Sequence, residues 1–112
     1  MIIRFTKENW EKFFTYKKVS TFRIHPRKVG HYDVYGGSYY KPEKMGELDI
    51  MRVEPKKVTE LTEQDAKDDG FNFKEELVKE LKRLNTIDSR TILYKHWIEN
   101  IKKEASNEER KV

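Results

Sequence analysis

The chain reads as an α+β domain, a small mixed β-barrel with flanking helices. Three observations predict this. Strand-type segments outnumber helical ones. They run in the order strand, helix, three strands, two helices, strand, with Gly- and Pro-marked turns between them. The length, 112 residues, is that of one domain, enough to remove roughly 65% of its unfolded surface from water.

Taken in order, residues 2–5 form a short strand, with Ile2, Ile3 and Phe5 around Arg4. Thr6 caps the next segment, because its hydroxyl can accept from a free first-turn amide. Trp10, Phe13 and Phe14 then share one helical face, and the helix ends near Lys17. Val19 to Phe22 favours strand, and Pro26 ends it. Lys28-Val29-Gly30 is a turn. Tyr32 to Tyr35 is the next strand, closed by Gly36-Gly37, and Ser38 to Pro42 is a loop or edge strand. Glu47 to Val53 follows, with Leu48, Ile50 and Met51 as core candidates. Pro55 marks its limit, and Val58 to Leu61 extends the sheet past a bend.

Thr62 and Asp65 make a capping box. The helix they open stops at Gly70, the residue that best takes a left-handed terminus. Asn72 caps a second helix, with Phe73, Leu77, Leu81 and Leu84 as its core stripe, joined by Val78. Residues 91–99 return to strand. The domain is placed at residues 1–101. Residues 102–112 are almost wholly polar and read as a disordered tail.

Hydrophobic residues make up 36% of the chain and charged residues 39%, a modest core under a charged surface. No apolar run approaches the roughly 18 residues of a membrane helix, and the N-terminus lacks the order of a signal peptide. There is no cysteine, which removes disulfides, thiolate catalysis and zinc–thiolate sites. The expectation is a cytoplasmic monomer without cofactor or metal. His25, His31 and His96 lack paired metal-ligand spacing, and Gly36-Gly37 has no phosphate-loop pattern.

Charge is localised. Lys12, Lys17, Lys18, Arg23, Arg27 and Lys28 lie in a window without Asp or Glu that continues to Tyr32. Removing those six from 24 basic residues leaves 18 against 20 acidic ones, so a net charge of +4 becomes −2. Such a window points to an anionic partner. Lys17, Lys18, Arg23, Arg27 and Lys28 can contact phosphate, with His25 and Thr21 near a base. Tyr32, Tyr35, Tyr39 and Tyr40 can supply stacking.

These residues also carry a resemblance. Lys18-Val-Ser-Thr21-Phe-Arg23 resembles the Lys-x-x-Thr-x-Arg strand of ASCH domains, and Lys28-Val29-Gly30 resembles their Lys-x-Gly turn. Leu61-Thr-Glu-Gln-Asp-Ala-Lys-Asp-Asp-Gly70-Phe71 and the closing Leu93-Tyr-x-x-x-Ile98 are also similar, so the likeness runs from about Ile2 to Ile101. It implies the PUA-like fold, a small barrel with a cleft at its side. It also implies an RNA- or nucleotide-binding cleft between the Lys18–Arg23 strand and the Thr62–Gly70 segment.

Some small members of that family are amidohydrolases that deacetylate N-acetylcytidine. Carried across, their catalytic set falls on Lys18, Thr21 and Asp69. Those enzymes have Glu at the carboxylate position. Asp is one methylene shorter, which is expected to displace a carboxylate by about 1 Å. Two functional readings therefore compete: RNA or nucleotide binding, and hydrolysis of an acyl group on a modified nucleoside. A protein-interaction module is the third.

Overall fold

The computed structural model describes residues 1–104. Strand β1 (Ile2–Arg4) leads into helix α1 (Lys7–Thr15), followed by strands β2 (Ser20–Arg23), β3 (Gly30–Gly37) and β4 (Pro42–Lys57). One 3₁₀ turn (Val58–Glu60), helices α2 (Glu63–Asp68) and α3 (Lys74–Leu84) and strand β5 (Ile92–Lys103) complete the described residues. The strands form one sheet in the order β1-β3-β4-β5-β2. Only β1 and β3 are parallel; the other neighbours are antiparallel.

The sheet is curled into a half-barrel whose outer strands, β1 and β2, approach each other without pairing. Arginine side chains span the seam. Arg23, on β2, donates through Nη2 to the Arg4 carbonyl oxygen, and Arg27 Nη1 donates to that of Ile2 at 3.3 Å. The sheet thus ends in two open edges whose β1 carbonyls are satisfied by guanidinium groups instead of a ladder. This is the small mixed barrel with flanking helices that the segment order predicts, left open along one side.

Two apolar clusters fill it. The first packs Trp10 and Phe13 of α1 on Ile3, Val34, Leu48 and Ile50 of the sheet. The second packs Leu77 and Leu81 of α3 and Ala66 of α2 on Phe22 and Leu93. Phe73 and Leu84, expected in the core stripe, are exposed, as are Phe14 and Met51.

Local signals placed the helix starts. Thr6 accepts from the Asn9 amide, and Thr62 and Asp65 form the expected reciprocal box. The cap of α3 differs. It begins after Phe73, and its first amide, that of Lys74, donates to Glu63 at 3.0 Å, so a carboxylate from α2 replaces the expected Asn72. Strand β4 is far longer than Glu47–Val53. It runs through Pro55, which a strand tolerates there because beyond Ile50 only β5 flanks it. Val58–Glu60 is a 3₁₀ turn and not a strand; the Glu60 carboxylate accepts from the Lys57 amide and closes it.

Two acidic residues of α2, Asp65 and Asp68, are drawn into ion pairs. Asp65 is buried between Lys56 at 2.6 Å and Lys95 at 2.8 Å, and Lys95 also reaches Asp68 at 2.8 Å. These ion pairs clamp α2 on β4 and β5. Strand β5 includes Lys102 and Lys103, which the composition had placed in the tail. The rest of that tail, residues 105–112, lies outside the described residues.

Candidate functional site

A cleft of about 730 Å³ opens at the seam, between β1 and β2 on one side and α2 and α3 on the other. Its floor is built from Lys18, Thr21 and Asp69, which lie far apart in sequence. Lys18 precedes β2, Thr21 lies on it, and Asp69 is the C-cap of α2. Gly70 lets them meet. It takes φ +84°, and a Cβ there would stand 3.0 Å from the Cβ of Lys12 and 3.4 Å from that of Lys18. The α2 terminus can therefore lie against the Lys12–Lys18 segment only as glycine.

Lys18 and Asp69 form a direct ion pair, each only 3% exposed. The second Asp69 oxygen accepts from the Phe22 amide at 3.3 Å. The shorter Asp side chain therefore still reaches its partner. The Lys18 ammonium also lies 5.2 Å from the Phe13 ring and 5.6 Å from that of Phe5, so its other neighbours are aromatic faces. Burial pushes the Lys18 pKa down, against the pull of Asp69. Burial likewise pushes the Asp69 carboxyl up, against the pull of Lys18. Both shifts draw the pair toward its neutral form, in which Lys18 is an amine able to accept a proton.

The rim is cationic. Arg4, Lys7, Arg23 and Arg27 line it, and among the described residues none of them is ion-paired with a carboxylate. Arg23 lies 4.6 Å from the Phe5 ring centre. Burial and the nearby Arg27 charge push its pKa down to about 10. The opposite wall is largely apolar, made by Ile24, Phe71, Leu77 and Leu81, and it also carries Glu80, whose carboxylate accepts from Asn9 and is paired with Arg83.

Behind the floor sits His96, fully buried. The Arg27 amide donates to Nε2 at 2.9 Å, so Nδ1 carries the proton and donates to the Thr21 carbonyl at 3.3 Å. One neutral imidazole thereby ties a rim residue to a floor residue.

Of the residues expected at the site, the structure brings Lys18, Thr21, Arg23, His25, Arg27 and Asp69 to the cleft. Lys18 is paired and sealed, so it is not a free phosphate contact. Lys17 and Lys28 lie outside the cleft. Lys17 turns the chain after α1 at φ +53°, and Lys28 offers its carbonyl to the Tyr32 hydroxyl. None of the four tyrosines lines the cleft, and Tyr32 is buried in the first core cluster. Sequence reasoning missed Arg4 and Lys7, whose only local signal was a positive charge beside an apolar strand.

Away from the cleft, His31, Asp33 and Glu47 lie on the β3–β4 ladder with ligand atoms within 4.8 Å of one another. His31 is already held by Asp49 at 2.6 Å and Glu47 at 3.0 Å.

The sequence matches no family model and no curated protein. Among solved structures, a tyrosine-to-phenylalanine variant of ZmASCH from Zymomonas mobilis superimposes with a TM-score of 0.65 at 11% identity, over 98% of this chain and 77% of that one. A DUF984 protein of Enterococcus faecalis V583 gives 0.59 at 14% identity, over 86% of this chain and 68% of that one. A shared half-barrel, with the same chain followed nearly end to end at such low identity, shows a common fold: the chain has the PUA-like half-barrel fold of an ASCH protein.

Proposed function

We propose that the cleft binds a nucleotide, free or within RNA. The observation that carries this is the rim: Arg4, Lys7, Arg23 and Arg27 converge on one cleft without a carboxylate partner among the described residues. Such a cluster favours an anion, and arginine matches phosphate in a bidentate way. The apolar wall of Ile24, Leu77 and Leu81 suits the face of a base. Thr21 at the floor can bond its polar edge. Calorimetric titration with AMP, CMP and UMP tests the reading. Saturable binding that weakens with salt and with Arg27→Ala supports it. No binding of these three at millimolar concentration, and none of short single-stranded RNA, overturns it.

A second reading is favoured by one feature, the position of the Thr21 hydroxyl at a floor that also holds a Lys–Asp pair inclined toward neutrality. A neutral Lys18 amine can take the Thr21 proton as the hydroxyl oxygen attacks an amide carbonyl. The proton then passes to the departing amine, and water hydrolyses the threonyl ester to release the acid and restore Thr21. Proton NMR of acetate release from N-acetylcytidine tests this. Turnover lost in Thr21→Val and partly kept in Thr21→Ser supports hydrolysis. The absence of turnover leaves a binding cleft.

A further inference from the structure

The β3–β4 hairpin ends at the mouth of the cleft. Gly37, its last β3 residue, lines the cleft, and Arg4 Nη2 donates to the Gly37 carbonyl at 3.4 Å. Beyond it the turn is closed tightly. The Lys41 amide donates to the Ser38 carbonyl at 3.2 Å and to the Ser38 hydroxyl at 3.0 Å. Gly37 sits at φ +79°, and a Cβ there would meet the Lys41 carbonyl oxygen at 2.7 Å. The tip therefore has a defined shape and direction.

On this tip Tyr39 and Tyr40 are 86% and 92% exposed. Their rings meet each other edge to face, with centres 5.7 Å apart. Folding does not account for them, since they bury almost nothing. Adjacent large apolar rings held in water mark a surface that something else covers.

The surroundings identify that partner by charge. Lys41 follows the pair directly, Glu43 and Lys44 come next on the same hairpin, and Arg4 and Lys7 stand on the nearby cleft rim, so four cations face one acid. Aromatic faces beside cations form the surface that single strands use: every base has a face to stack, and every phosphate needs a counter-charge. Tyr39 is two residues from Gly37, at most about 7 Å of chain, so it stands within reach of the nucleotide next to one seated in the cleft.

We propose that Tyr39 and Tyr40 form a stacking platform for single-stranded RNA, holding the bases that flank the nucleotide in the cleft. The proposal rests on the nucleotide reading of the cleft and makes its ligand a strand in preference to a free nucleotide.

The experiment compares labelled RNA hexamers of A, C and U, by fluorescence anisotropy, with AMP, CMP and UMP, by calorimetry. It uses the full chain, Tyr39→Ala/Tyr40→Ala and Tyr39→Phe/Tyr40→Phe. The expected result is a hexamer that binds more tightly than its mononucleotide. The alanine pair should lose roughly 30-fold or more of that affinity, the scale of two lost base-stacking contacts, while mononucleotide binding stays unchanged. The phenylalanine pair, which keeps the rings, should retain hexamer affinity. Unfolding is not expected to confuse the result because both rings are outside the core, and thermal midpoints check it. A hexamer that binds no better than its mononucleotide overturns the platform, as does an alanine pair with full hexamer affinity. The cleft reading survives both outcomes. If neither mononucleotides nor hexamers bind, both ideas fall.

Discussion

Arg23 on β2 donates to the backbone carbonyl of Arg4 on β1, and so joins the two outer edges of the curled sheet. The same guanidinium has further N–H groups to offer a ligand. Arg23→Lys should therefore keep the charge and lose the planar fork. Nucleotide affinity should fall about tenfold, the scale of one charge-assisted bond, with a thermal midpoint only slightly lower. Arg23→Ala should also flatten the salt dependence of binding. Calorimetry at two salt concentrations checks both, and full affinity in Arg23→Lys would remove the fork from the site.

Lys18 and Asp69 can be tested by removing one partner and then both. Lys18→Met leaves a sealed carboxylate without its cation and should cost about 3–5 kcal/mol. Lys18→Met/Asp69→Leu replaces the pair by apolar groups of similar size and should recover most of that loss while abolishing ligand binding. Urea denaturation with ligand titration measures both. A double variant as unstable as the single one would mean that Asp69 is held chiefly by the Phe22 amide.

Lys95 anchors α2 through Asp65 and Asp68. Lys95→Met should destabilise the fold by about 1–3 kcal/mol, since Asp68 loses its cation while Asp65 keeps Lys56. Ligand affinity should fall as well, because α2 carries Asp69. Denaturation and titration of the same sample separate the two effects. Affinity unchanged in a folded Lys95→Met protein would show that α2 needs no clamp.

Acid should unfold the domain in two stages. Burial holds the His96 pKa below its ordinary value, against the pull of the Thr21 carbonyl. Its contribution is complete above pH ~6.5 and is lost as pH falls below that. Burial pushes Asp65 up, but hydrogen bonds from Lys56, Lys95 and Thr62 outweigh it and hold the carboxyl at about 2. Its contribution of about 2 kcal/mol is present above pH ~4 and is lost toward pH 2. Exposed His31 runs the other way. Hydrogen bonds to Asp49 and Glu47 raise its pKa, so its contribution is present below pH ~6.5 and lost as pH rises through the folded value. The urea midpoint between pH 8 and 3 should therefore lose its first stage in His96→Gln, whereas His31→Asn should leave that stage and remove the gain in stability between pH 8 and ~6.5. A first stage that persists in His96→Gln would assign it to another group.

Much of this architecture was legible before any coordinates. Thr6, Thr62 and Gly70 punctuate the chain through bonds that span three or four residues, so their meaning is written locally. The motif likeness also brought Lys18, Thr21 and Asp69 to one place. Pro55 misled as a strand end, because its tolerance depends on which edge of β4 is paired, and that is a property of the sheet. The ion pairs of Asp65 and Asp68 with Lys95 left no local signal, because their cation lies up to 30 residues away. Only the fold decided that Lys18 is sealed against Asp69, that Lys17 and Lys28 point elsewhere, and that Arg4 and Lys7 complete the rim. Burial and proximity arise when the sheet curls and its two edges meet, and no local pattern of side chains records that closure.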